Sequence, residues 1–448
     1  MHLSKQFFKY GIYYPVVAYK AGDIRAPLRR LRATERQPRD LMNTHNLARL
    51  QTLLHHAYQY VPLFREKLNA QHAPRVEDLS DLKYVPLLTK QEIQSDAERC
   101  RSNQPLGRLI SKTTGGSTGQ PVTIYKTRSA WLWELAATWR GYGWAGIDIG
   151  DPQARFWGVP LHKDARLQAR LTDFVCHRYR CSAFAFDEAD LARYLRELNR
   201  FRPAWFYGYV SMLSEFADYV LSSPERWRLA LTCVITTSEV LTQTVREKLS
   251  QAFHAPVFNE YGCGELGTIA HECEAGSMHI SEENMLVEIL DGDRVCSPGE
   301  MGEIVVTELN NYAMPLIRYR TGDFGSISAG SCSCGRTLAV LEGLYGRAYD
   351  MVRTRRGQSF HGEFMIYIFE NIKRRQAGIK QFQVVQQDLD RFLVRIVPEQ
   401  GYGPAVESEI TREIRANVDP DANVLFEQVS AIERAASGKM RVIVGMGR

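Results

Sequence analysis

The sequence predicts an α/β protein with a large, multi-layer N-terminal domain, in which β-sheets are flanked by helices, and a small C-terminal α+β domain. Three observations lead to this prediction. Segments with helical periodicity alternate with short β-branched runs along most of the chain. The 448 residues are enough for two or three domains of about 150 residues each. The pattern changes to a compact mixed unit after Asp350, so we divide the chain into residues 1–350 and 351–448.

The first 40 residues form an arm that is rich in basic and aromatic side chains. Nine Lys and Arg stand against three Asp and Glu, which gives the arm a local charge of +6. The apolar run from Phe7 to Tyr19 contains Lys9 and Pro15 and is too short to span about 30 Å of hydrocarbon. Two interpretations stay open: a helix that lies on an anionic membrane, or an arm that packs on its own domain with a solvated basic face. Any membrane association would involve only these residues.

The elements that follow have the order of a layered α/β domain. Periodicity predicts helices from Leu41 to about Lys67 and from Leu191 to Arg200. Between Arg108 and Tyr125 we expect a strand, a Gly/Ser/Thr loop and a second strand, and from Trp205 to Val240 a strand, a helix and a buried parallel strand. Further strands are predicted at MLVEIL, GEIVVTEL, QFQVVQQ and RFLVRIVP, with a last helix near Val406–Ala416.

Composition and charge exclude several classes of protein. With 44% hydrophobic and 24% charged residues, the chain is neither disordered nor a disulfide miniprotein. The net charge of +5 shows no domain-wide basic excess, so we expect no nucleic-acid partner. Nine cysteines, an odd number, occur without a recognisable secretory signal, which predicts free thiols in a reducing, cytoplasmic compartment.

The loop within Lys112–Val122 is the most informative segment for function. Gly115, Gly116 and Gly119 allow the backbone N–H groups to approach a ligand closely. Hydroxyl groups that could donate to phosphate oxygens are supplied by Thr113, Thr114, Ser117 and Thr118. The loop is not a Walker A sequence. Taken alone, it fits either a phosphate-binding loop or a flexible connection.

Three later segments add groups suited to a nucleotide. In NEYGCGE, Tyr261 could stack on a purine beside the turn at Gly262, and Glu265 could hold a magnesium ion through its carboxylate oxygens. In YRTGD, Asp323 could accept two hydrogen bonds from a ribose diol. The third segment, GRAYD, ends at Asp350. Each segment alone could equally be a capped turn or a surface ion pair.

Taken together and in this order, the motifs TTGGSTGQP, YGCGELG, YRTGD, GRAYD and a late SGK resemble those of the adenylate-forming superfamily of acyl-CoA synthetases and peptide-synthetase adenylation domains. The phenylacetate–CoA ligase-like branch, including its capsular-polysaccharide-associated members, has the most similar pattern. FWG at 156–158, GYVS at 208–211 and TTSE at 236–239 support the resemblance, which extends from about residue 40 to the end of the chain.

The resemblance implies roles for individual residues. Thr114–Gly119 would grip the β- and γ-phosphates of ATP, with Thr118 counted among the catalytic residues, and Glu265 would carry magnesium. Asp323 would bind the ribose, and Lys439 would be the catalytic lysine on a mobile C-terminal domain. The remaining implied positions are the adenine pocket (Ser238, Glu239, Tyr261 and Gly262), a residue near the ribose (Arg347) and the hinge (Asp350). The chain departs from the common pattern at Val122, at Gly264 and at Ala436-Ser437.

The resemblance also implies a reaction. A carboxylic acid would attack ATP to give an acyl-adenylate and pyrophosphate, and the acyl group would pass to the thiol of coenzyme A or of a carrier protein on a separate chain. Two alternatives stay open: acyl transfer to a sugar or an amine in polysaccharide or natural-product assembly, and a nucleotide-binding protein without turnover. The aromatic residues between Phe156 and Tyr261 suit a planar acid, but the sequence singles out no basic residue that would read a second carboxylate.

Four residues form a candidate zinc set. Cys273, His279, Cys332 and Cys334 provide three thiolates and one imidazole from two separated segments, which is a complete ligand set for a structural zinc ion. Cys263 and His271 are spare candidates. The alternative is a group of reduced cysteines beside an ordinary histidine. Resemblance to branch members with the same C…H…CxC pattern favours zinc.

Overall fold

A computed structural model describes residues 5–70, 76–114, 122–158, 163–182, 188–224, 227–347, 352–355, 359–360, 362–375, 378–433 and 440–446. The described part contains thirteen helices, which we number α1 to α13, and a short 3₁₀ helix at Leu79–Tyr84. The first of the thirteen, α1, has π-type hydrogen bonding. The helices are α1 (Phe7–Tyr13), α2 (Tyr14–Lys20), α3 (Arg25–Thr34), α4 (Arg39–Tyr60), α5 (Pro62–Ala70), α6 (Lys90–Ser95), α7 (Arg128–Trp144), α8 (Lys163–Val175), α9 (Glu188–Phe201), α10 (Val210–Ser222), α11 (Gln243–Phe253), α12 (Gly362–Arg375) and α13 (Pro404–Asn417).

The strands form four sheets. They are β1 (Ile110–Thr114), β2 (Val122–Lys126), β3 (Gln153–Trp157), β4 (Arg178–Ser182), β5 (Trp205–Tyr209), β6 (Cys233–Thr237), β7 (Val257–Cys263), β8 (Gly267–Glu272), β9 (Met278–Ile280), β10 (Met285–Asp291), β11 (Arg294–Val295), β12 (Gly302–Glu308), β13 (Tyr319–Ile327), β14 (Val340–Arg347), β15 (Val352–Arg353), β16 (Ser359–Phe360), β17 (Ile379–Asp388), β18 (Arg391–Pro398), β19 (Asn423–Gln428) and β20 (Ile443–Val444). The largest sheet has twelve strands in the order β11-β10-β12-β13-β14-β9-β8-β7-β6-β5-β3-β4.

The large sheet is parallel at one end and antiparallel at the other. Strands β4, β3, β5, β6 and β7 run parallel, and all pairs from β7 to β11 are antiparallel. Every residue of β5 and β6 is buried, as expected for parallel strands that are covered on both faces. Helices α9, α10 and α11 pack on one face and α3 and α7 on the other. The predicted fold class, sheets flanked by helices, is therefore confirmed.

The predicted helix from Leu41 to Lys67 is in fact two helices. α4 ends at Tyr60, and α5 begins at Pro62. Val61 adopts an extended conformation because the ring of a following proline disfavours the helical region. Pro62 itself suits the first position of a new helix, where no N–H donor is needed. The hydrophobic periodicity continues across the break, which explains why the sequence pattern alone predicts one element.

The N-terminal arm folds into α1–α3 and packs on the large domain. Tyr13, Val17 and Leu28 are buried, and the indole N–H of Trp139 in α7 donates to the hydroxyl of Tyr13 at 2.5 Å. Phe7 and Tyr19 stay exposed. Among the described residues, we find no helix whose length and hydrophobicity would allow it to cross a bilayer.

Residues after Val352 build a core of their own. β17–β20 form a sheet in the order β19-β18-β17-β20, and α12 and α13 pack against it. Phe369 stacks on Phe382 with ring centroids 4.2 Å apart. Among the described residues, the buried members of this core all come from Val352 onwards. The strands and the helix that the sequence predicts at QFQVVQQ, RFLVRIVP and Val406–Ala416 are all present.

Candidate functional site

The predicted site residues gather where the parallel strands of the large sheet end. β6 ends at Thr237, and Ser238, with φ of 70°, turns the chain out of the sheet. A serine in the left-handed region costs about 1–3 kcal/mol and is typical of functional sites. β7 ends at Cys263 beside β6, so the segments 238–239 and 261–265 lie at the same edge. Ligands of open α/β sheets bind at this edge.

The side chains of Tyr261 and Asp323 form a hydrogen bond near this edge of the sheet. The Tyr261 hydroxyl donates to Oδ2 of Asp323 at 2.9 Å, and both side chains are buried. Burial and the neighbouring carboxylate raise the pKa of Tyr261 well above its ordinary value, so the hydroxyl stays protonated as a donor. Asp323 also pairs with Arg347 across β13 and β14, where the backbone of Arg347 is described. The structure thus brings together three predicted nucleotide residues from three separate segments.

Glu265 lies in the turn between β7 and β8. Its carboxylate is buried and forms an ion pair with Lys90, at the start of α6, with Oε1 and Nζ 3.2 Å apart. Burial opposes ionisation of Glu265, but the charge of Lys90 and local hydrogen bonds hold the pKa of its carboxyl below the usual value. An ionised carboxylate is the type of ligand that magnesium prefers. Gly262 lies in β7 next to this turn. A side chain does not fit there, because a Cβ would collide with the carbonyl oxygen of Gly267.

The Glu239 carboxylate accepts hydrogen bonds from both units of the chain, residues 1–350 and 351–448. Its Oε2 accepts from the Ser211 N–H at 2.7 Å, which holds it at the start of α10. Its Oε1 accepts from the Met440 N–H at 3.0 Å. Met440 follows Lys439 directly in the sequence. The segment that carries the predicted lysine therefore approaches the strand ends of the large sheet.

The remaining predicted residues lie partly outside the described chain. β1 and β2 pair antiparallel with Thr114 opposite Val122, as the sequence predicts for the two sides of the glycine-rich loop. Gly115, Gly116, Ser117, Thr118 and Gly119 lie outside the described residues, and so do Asp350 and Lys439. Thr114 and Arg347 are placed by their backbone.

A buried ionic cluster at the base of this hairpin is not predicted by the sequence. The fully buried Lys126 lies 2.9 Å from Glu134 and 2.7 Å from Glu308, and it donates to the carbonyl oxygen of Leu266 at 3.0 Å. Lys112 contacts the other oxygen of Glu134 at 2.6 Å. The cluster ties both hairpin strands to the turn that carries Glu265. Lys126, at the end of a strand, and Glu134, in a helix, look like ordinary surface residues in the sequence.

The four candidate zinc ligands converge. Their ligand atoms lie within 4.8 Å of one another. The Cys273 and Cys332 sulfurs are 3.7 Å apart, and Nε2 of His279 is 3.2 Å from Sγ of Cys334. Nδ1 of His279 lies 3.0 Å from the Leu338 carbonyl oxygen, an acceptor that fixes the ring with Nε2 towards the sulfurs.

The thiols of the cluster differ in acidity. Burial opposes ionisation of Cys332, but hydrogen bonds, first from Ser277 and then from Cys334, lower the pKa of its thiol to about 6. Burial raises the pKa of Cys273 to about 12. The spare candidate His271 is engaged elsewhere, with Nε2 3.0 Å from Oε2 of Glu260. A soft divalent cation would stabilise the thiolate forms of all three cysteines.

Comparisons with known proteins agree with this arrangement. A family model described as AMP-binding enzyme matches residues 42–313, and one described as CapK C-terminal domain matches residues 352–445. Protein CapK of Staphylococcus aureus is 22% identical over 82% of this chain and 80% of its own length. A phenylacetate–coenzyme A ligase of Thermus thermophilus is 23% identical over 92% of this chain and 98% of its own length.

The fold is similar to that of solved ligase structures. A 2-hydroxyisobutyryl-CoA ligase in the postadenylation state superposes with a TM-score of 0.75 at 20% identity, covering 92% of this chain and 91% of that one. The same ligase in its thioesterification state gives a TM-score of 0.59 over the same shares of the chains. The whole chain therefore matches one arrangement of that fold better than the other.

Proposed function

Because this chain belongs to the AMP-binding enzyme family, in the branch that contains phenylacetate–CoA ligases and CapK, we propose that it activates a carboxylic acid with ATP. The acid carboxylate attacks the α-phosphate, pyrophosphate leaves, and an acyl-adenylate forms. A thiol then attacks the acyl carbonyl and AMP leaves. Coenzyme A is our first choice of acceptor, since relatives are coenzyme A ligases; the phosphopantetheine of a separate carrier protein is the second.

The contact between Met440 and Glu239 carries this proposal. An anionic carboxylate that approaches an anionic phosphate needs a cation between them, and a lysine on a long stem suits that task. The backbone of Met440 is anchored at the strand ends, so Lys439, one residue earlier, is our candidate for this cation. The loss of one such contact typically slows the reaction about 10²–10³-fold.

We assign the nucleotide to the residues around this point. The loop 114–119, including the catalytic candidate Thr118, would hold the phosphates, and Asp323, oriented by Tyr261, would accept from the ribose hydroxyls. Ser238, Glu239 and Gly262 would border the adenine, with Arg347 near the ribose. Magnesium would bind Glu265, where it would neutralise phosphate charge; an ionised, buried carboxylate in this turn suits it.

We propose zinc in the cluster of Cys273, His279, Cys332 and Cys334 as a structural ion. The four donor atoms come from the β8–β9 region and from the segment between β13 and β14, so a bound ion would join two parts of the sheet. The closed set leaves no open position for a substrate, which favours a structural over a catalytic role.

We further propose that residues 1–350 and 351–448 are two domains that rotate about Asp350. In the arrangement described here, the C-terminal unit contacts Glu239, which fits acyl-adenylate formation. The better match to the postadenylation state of a homologous fold supports this interpretation. Rotation would withdraw Lys439 and admit the thiol, as in other hinged enzymes.

Pyrophosphate release with a panel of carboxylic acids tests the proposal. We expect acid-dependent release that requires Mg-ATP, a loss of about 10²–10³-fold in Lys439→Ala, and little change in Lys380→Ala, which removes an exposed lysine of the same C-terminal unit. Release that persists in Lys439→Ala would contradict the role of the lysine. ATP binding without release for any acid would favour the non-catalytic alternative.

A second stage of the same assay identifies the acceptor. The activated acids are incubated with coenzyme A, a phosphopantetheinylated carrier protein, or simple sugars and amines, and the acyl products are measured by mass spectrometry. A coenzyme A thioester supports the first choice. Transfer to a sugar or an amine alone would favour the polysaccharide-assembly alternative.

A further inference from the structure

A group of aromatic side chains lies at the ends of β3 and β5. Side chains at alternate positions of these strands point to the same face of the sheet, so Arg155, Trp157, Tyr207 and Tyr209 share a face. The rings of Trp157 and Tyr209 are 4.2 Å apart, and Trp157 and Tyr207 are stacked at 5.8 Å. The rings form an apolar wall beside one arginine.

Arg155 lies against these rings without an acidic partner. Its guanidinium carbon is 4.6 Å from the centre of the Trp157 ring and 4.7 Å from that of Tyr207. Its Nε is buried and makes no hydrogen bond to the described residues. Within the described part of the chain, no carboxylate forms an ion pair with it. A guanidinium with a free N–H group and no ion pair can donate hydrogen bonds to an anion.

Two of the charged groups around Arg155 have partners of their own, whereas Arg178, which is also buried nearby, forms no ion pair among the described residues. Arg180, which pairs with Arg155 across β3 and β4, forms a bidentate ion pair with Asp173, with N–O distances of 2.8 and 2.7 Å. The Glu260 carboxylate accepts from the Tyr207 hydroxyl at 2.7 Å and lies 3.0 Å from His271. Asp173 and Glu260 therefore have direct partners other than Arg155. The charge of Arg155 also helps to lower the pKa of Glu260, but no ion pair joins the two among the described residues, so the Arg155 guanidinium can still donate to a ligand.

A chain of contacts connects Arg155 with the point where the reaction would occur. Arg155 lies on Trp157, and Trp157 contacts Tyr209. Tyr209 directly precedes α10, in which the Ser211 N–H donates to Glu239, and Glu239 accepts in turn from the Met440 N–H. An acid whose carboxylate lies near Lys439 would extend along these rings towards Arg155.

We propose that the acid substrate carries a second anionic group, a carboxylate or a phosphate, at the end remote from the reacting carboxylate, and that Arg155 binds it. This inference rests on the proposed acid activation and specifies its substrate class. The guanidinium fork matches the two oxygens of such a group, and the rings of Trp157 and Tyr207 would contact the body of the acid. Arg155 is thus a specificity-determining residue, since it would not touch the reacting atoms.

Matched acids test the inference. Pyrophosphate release is measured with phenylacetate, 4-carboxyphenylacetate and 4-(phosphonooxy)phenylacetate, which share one skeleton. We expect kcat/KM to be at least about 10-fold higher for one or both of the acids that carry the second anionic group, because a charged hydrogen-bonded pair discriminates by about that factor or more. The carboxylate and phosphate arms distinguish the two kinds of anion.

Two variants assign the preference to Arg155. Arg155→Gln should lose about 10–100-fold in kcat/KM on the preferred acid with a second anionic group and change little on phenylacetate, while Arg155→Lys, which keeps the charge but not the fork, should lose less. Arg180→Gln is the matched control, and its preference should stay. Wild-type protein that favours phenylacetate, or a variant that loses all three acids equally, would overturn the inference while leaving acid activation intact. No release with any acid would defeat both.

Discussion

At the residue scale, the hydrogen bond between Tyr261 and Asp323 shows how a tyrosine prepares a carboxylate. The Tyr261 hydroxyl occupies one oxygen of Asp323 and fixes the orientation of the other groups around it. The sequence suggests both residues for the nucleotide, Tyr261 as a stacking ring and Asp323 as an acceptor. The structure adds the hydrogen bond from the Tyr261 hydroxyl to Asp323, from which we propose that the tyrosine positions this carboxylate.

The first prediction concerns this bond. Tyr261→Phe keeps the ring but removes the donor, so we expect the KM for ATP to rise about 3–10-fold with little change in kcat, the effect of losing one hydrogen bond. Tyr312→Phe is the control, because no hydrogen bond of its hydroxyl is found among the described residues. Steady-state pyrophosphate release at varied ATP measures both. An unchanged KM in Tyr261→Phe would contradict the positioning role.

The second prediction concerns the charge of Glu265. Burial raises the pKa of this carboxyl and Lys90 lowers it, with a net lowering. Lys90→Met removes the charge and the hydrogen bond of Lys90 and leaves burial opposed only by the local hydrogen bonds, so the pKa rises and the carboxylate is protonated at higher pH. If Glu265 binds magnesium as we propose, the ionised form is needed, and the acid limb of the activity profile should move to higher pH.

The control for this shift is Lys83→Met, which removes an exposed lysine nearby in the chain. Its acid limb should coincide with that of the wild type. A profile for Lys90→Met that overlays the wild-type profile would show that Glu265 does not limit the rate on the acid side.

At the element scale, the β1–β2 hairpin depends on the buried Lys126. Burial opposes its charge, but Glu134 and Glu308 hold the pKa of the lysine above its ordinary value. Lys126→Met would leave two carboxylates without their shared cation. We expect a loss of about 3–5 kcal/mol in the free energy of unfolding, as found when one partner of a buried ion pair is removed.

Lys112→Met is the matched control for this prediction. Lys112 contacts the same Glu134 but is partly exposed, with a quarter of its side chain accessible. We expect Lys112→Met to lose less than half as much free energy of unfolding as Lys126→Met, measured by urea unfolding followed by fluorescence. Equal losses in the two variants would show that burial does not distinguish the two lysines.

The zinc cluster gives the fourth prediction. Purified protein should contain one zinc per chain by metal analysis, and Cys334→Ser should lower both zinc content and the melting temperature. Cys296→Ser, which removes a thiol outside the cluster, should change neither. Slow chelation of the wild type should reproduce the lower melting temperature. Zinc-free protein of unchanged stability after native purification would exclude the structural ion.

Elements with a strong local signal are those that the sequence predicts well. The hairpin around the glycine-rich loop, the strand–helix–strand unit from Trp205 and the C-terminal strands depend on side-chain periodicity within one segment. The four zinc candidates follow from their residue types together with the resemblance to branch members with the same C…H…CxC pattern. The periodicity does not predict the break at Val61, because it continues through that residue, although Pro62 is a local signal for the break.

At the scale of the whole molecule, pairwise contacts between distant segments could not be predicted. Lys126 meets Glu308 across 182 positions of sequence, and Met440 meets Glu239 across 201. No periodicity or motif encodes such a pairing, because it depends on how β-strands from separate regions are ordered in the sheet. The same holds for Arg155: its sequence neighbours do not reveal that the adjacent arginine Arg180 is paired and that Arg155 is not.

The last prediction concerns the contact between the two halves of the chain. Glu239→Ala removes the acceptor that holds the Met440 N–H, so the arrangement described here would be less populated. If this arrangement serves acyl-adenylate formation, that half-reaction should slow about 10-fold or more, the cost of a hydrogen bond to a charged group. Thioester formation from a preformed acyl-adenylate and coenzyme A should change less than about two-fold, because rotation about Asp350 would break this contact in any case.

Three further variants separate this effect from local damage. Ser211→Ala perturbs the side-chain bond that anchors Glu239 but leaves its contact with Met440 available, so it should affect adenylation less. Glu247→Ala removes an exposed carboxylate of α11 and should affect neither step. Asp350→Pro stiffens the proposed hinge and should spare one half-reaction and damage the other. Rapid-quench measurement of each half-reaction resolves these cases. Equal losses in both steps for Glu239→Ala would assign Glu239 to the common substrate site. A loss of adenylation alone is expected only if the contact between the domains delivers Lys439.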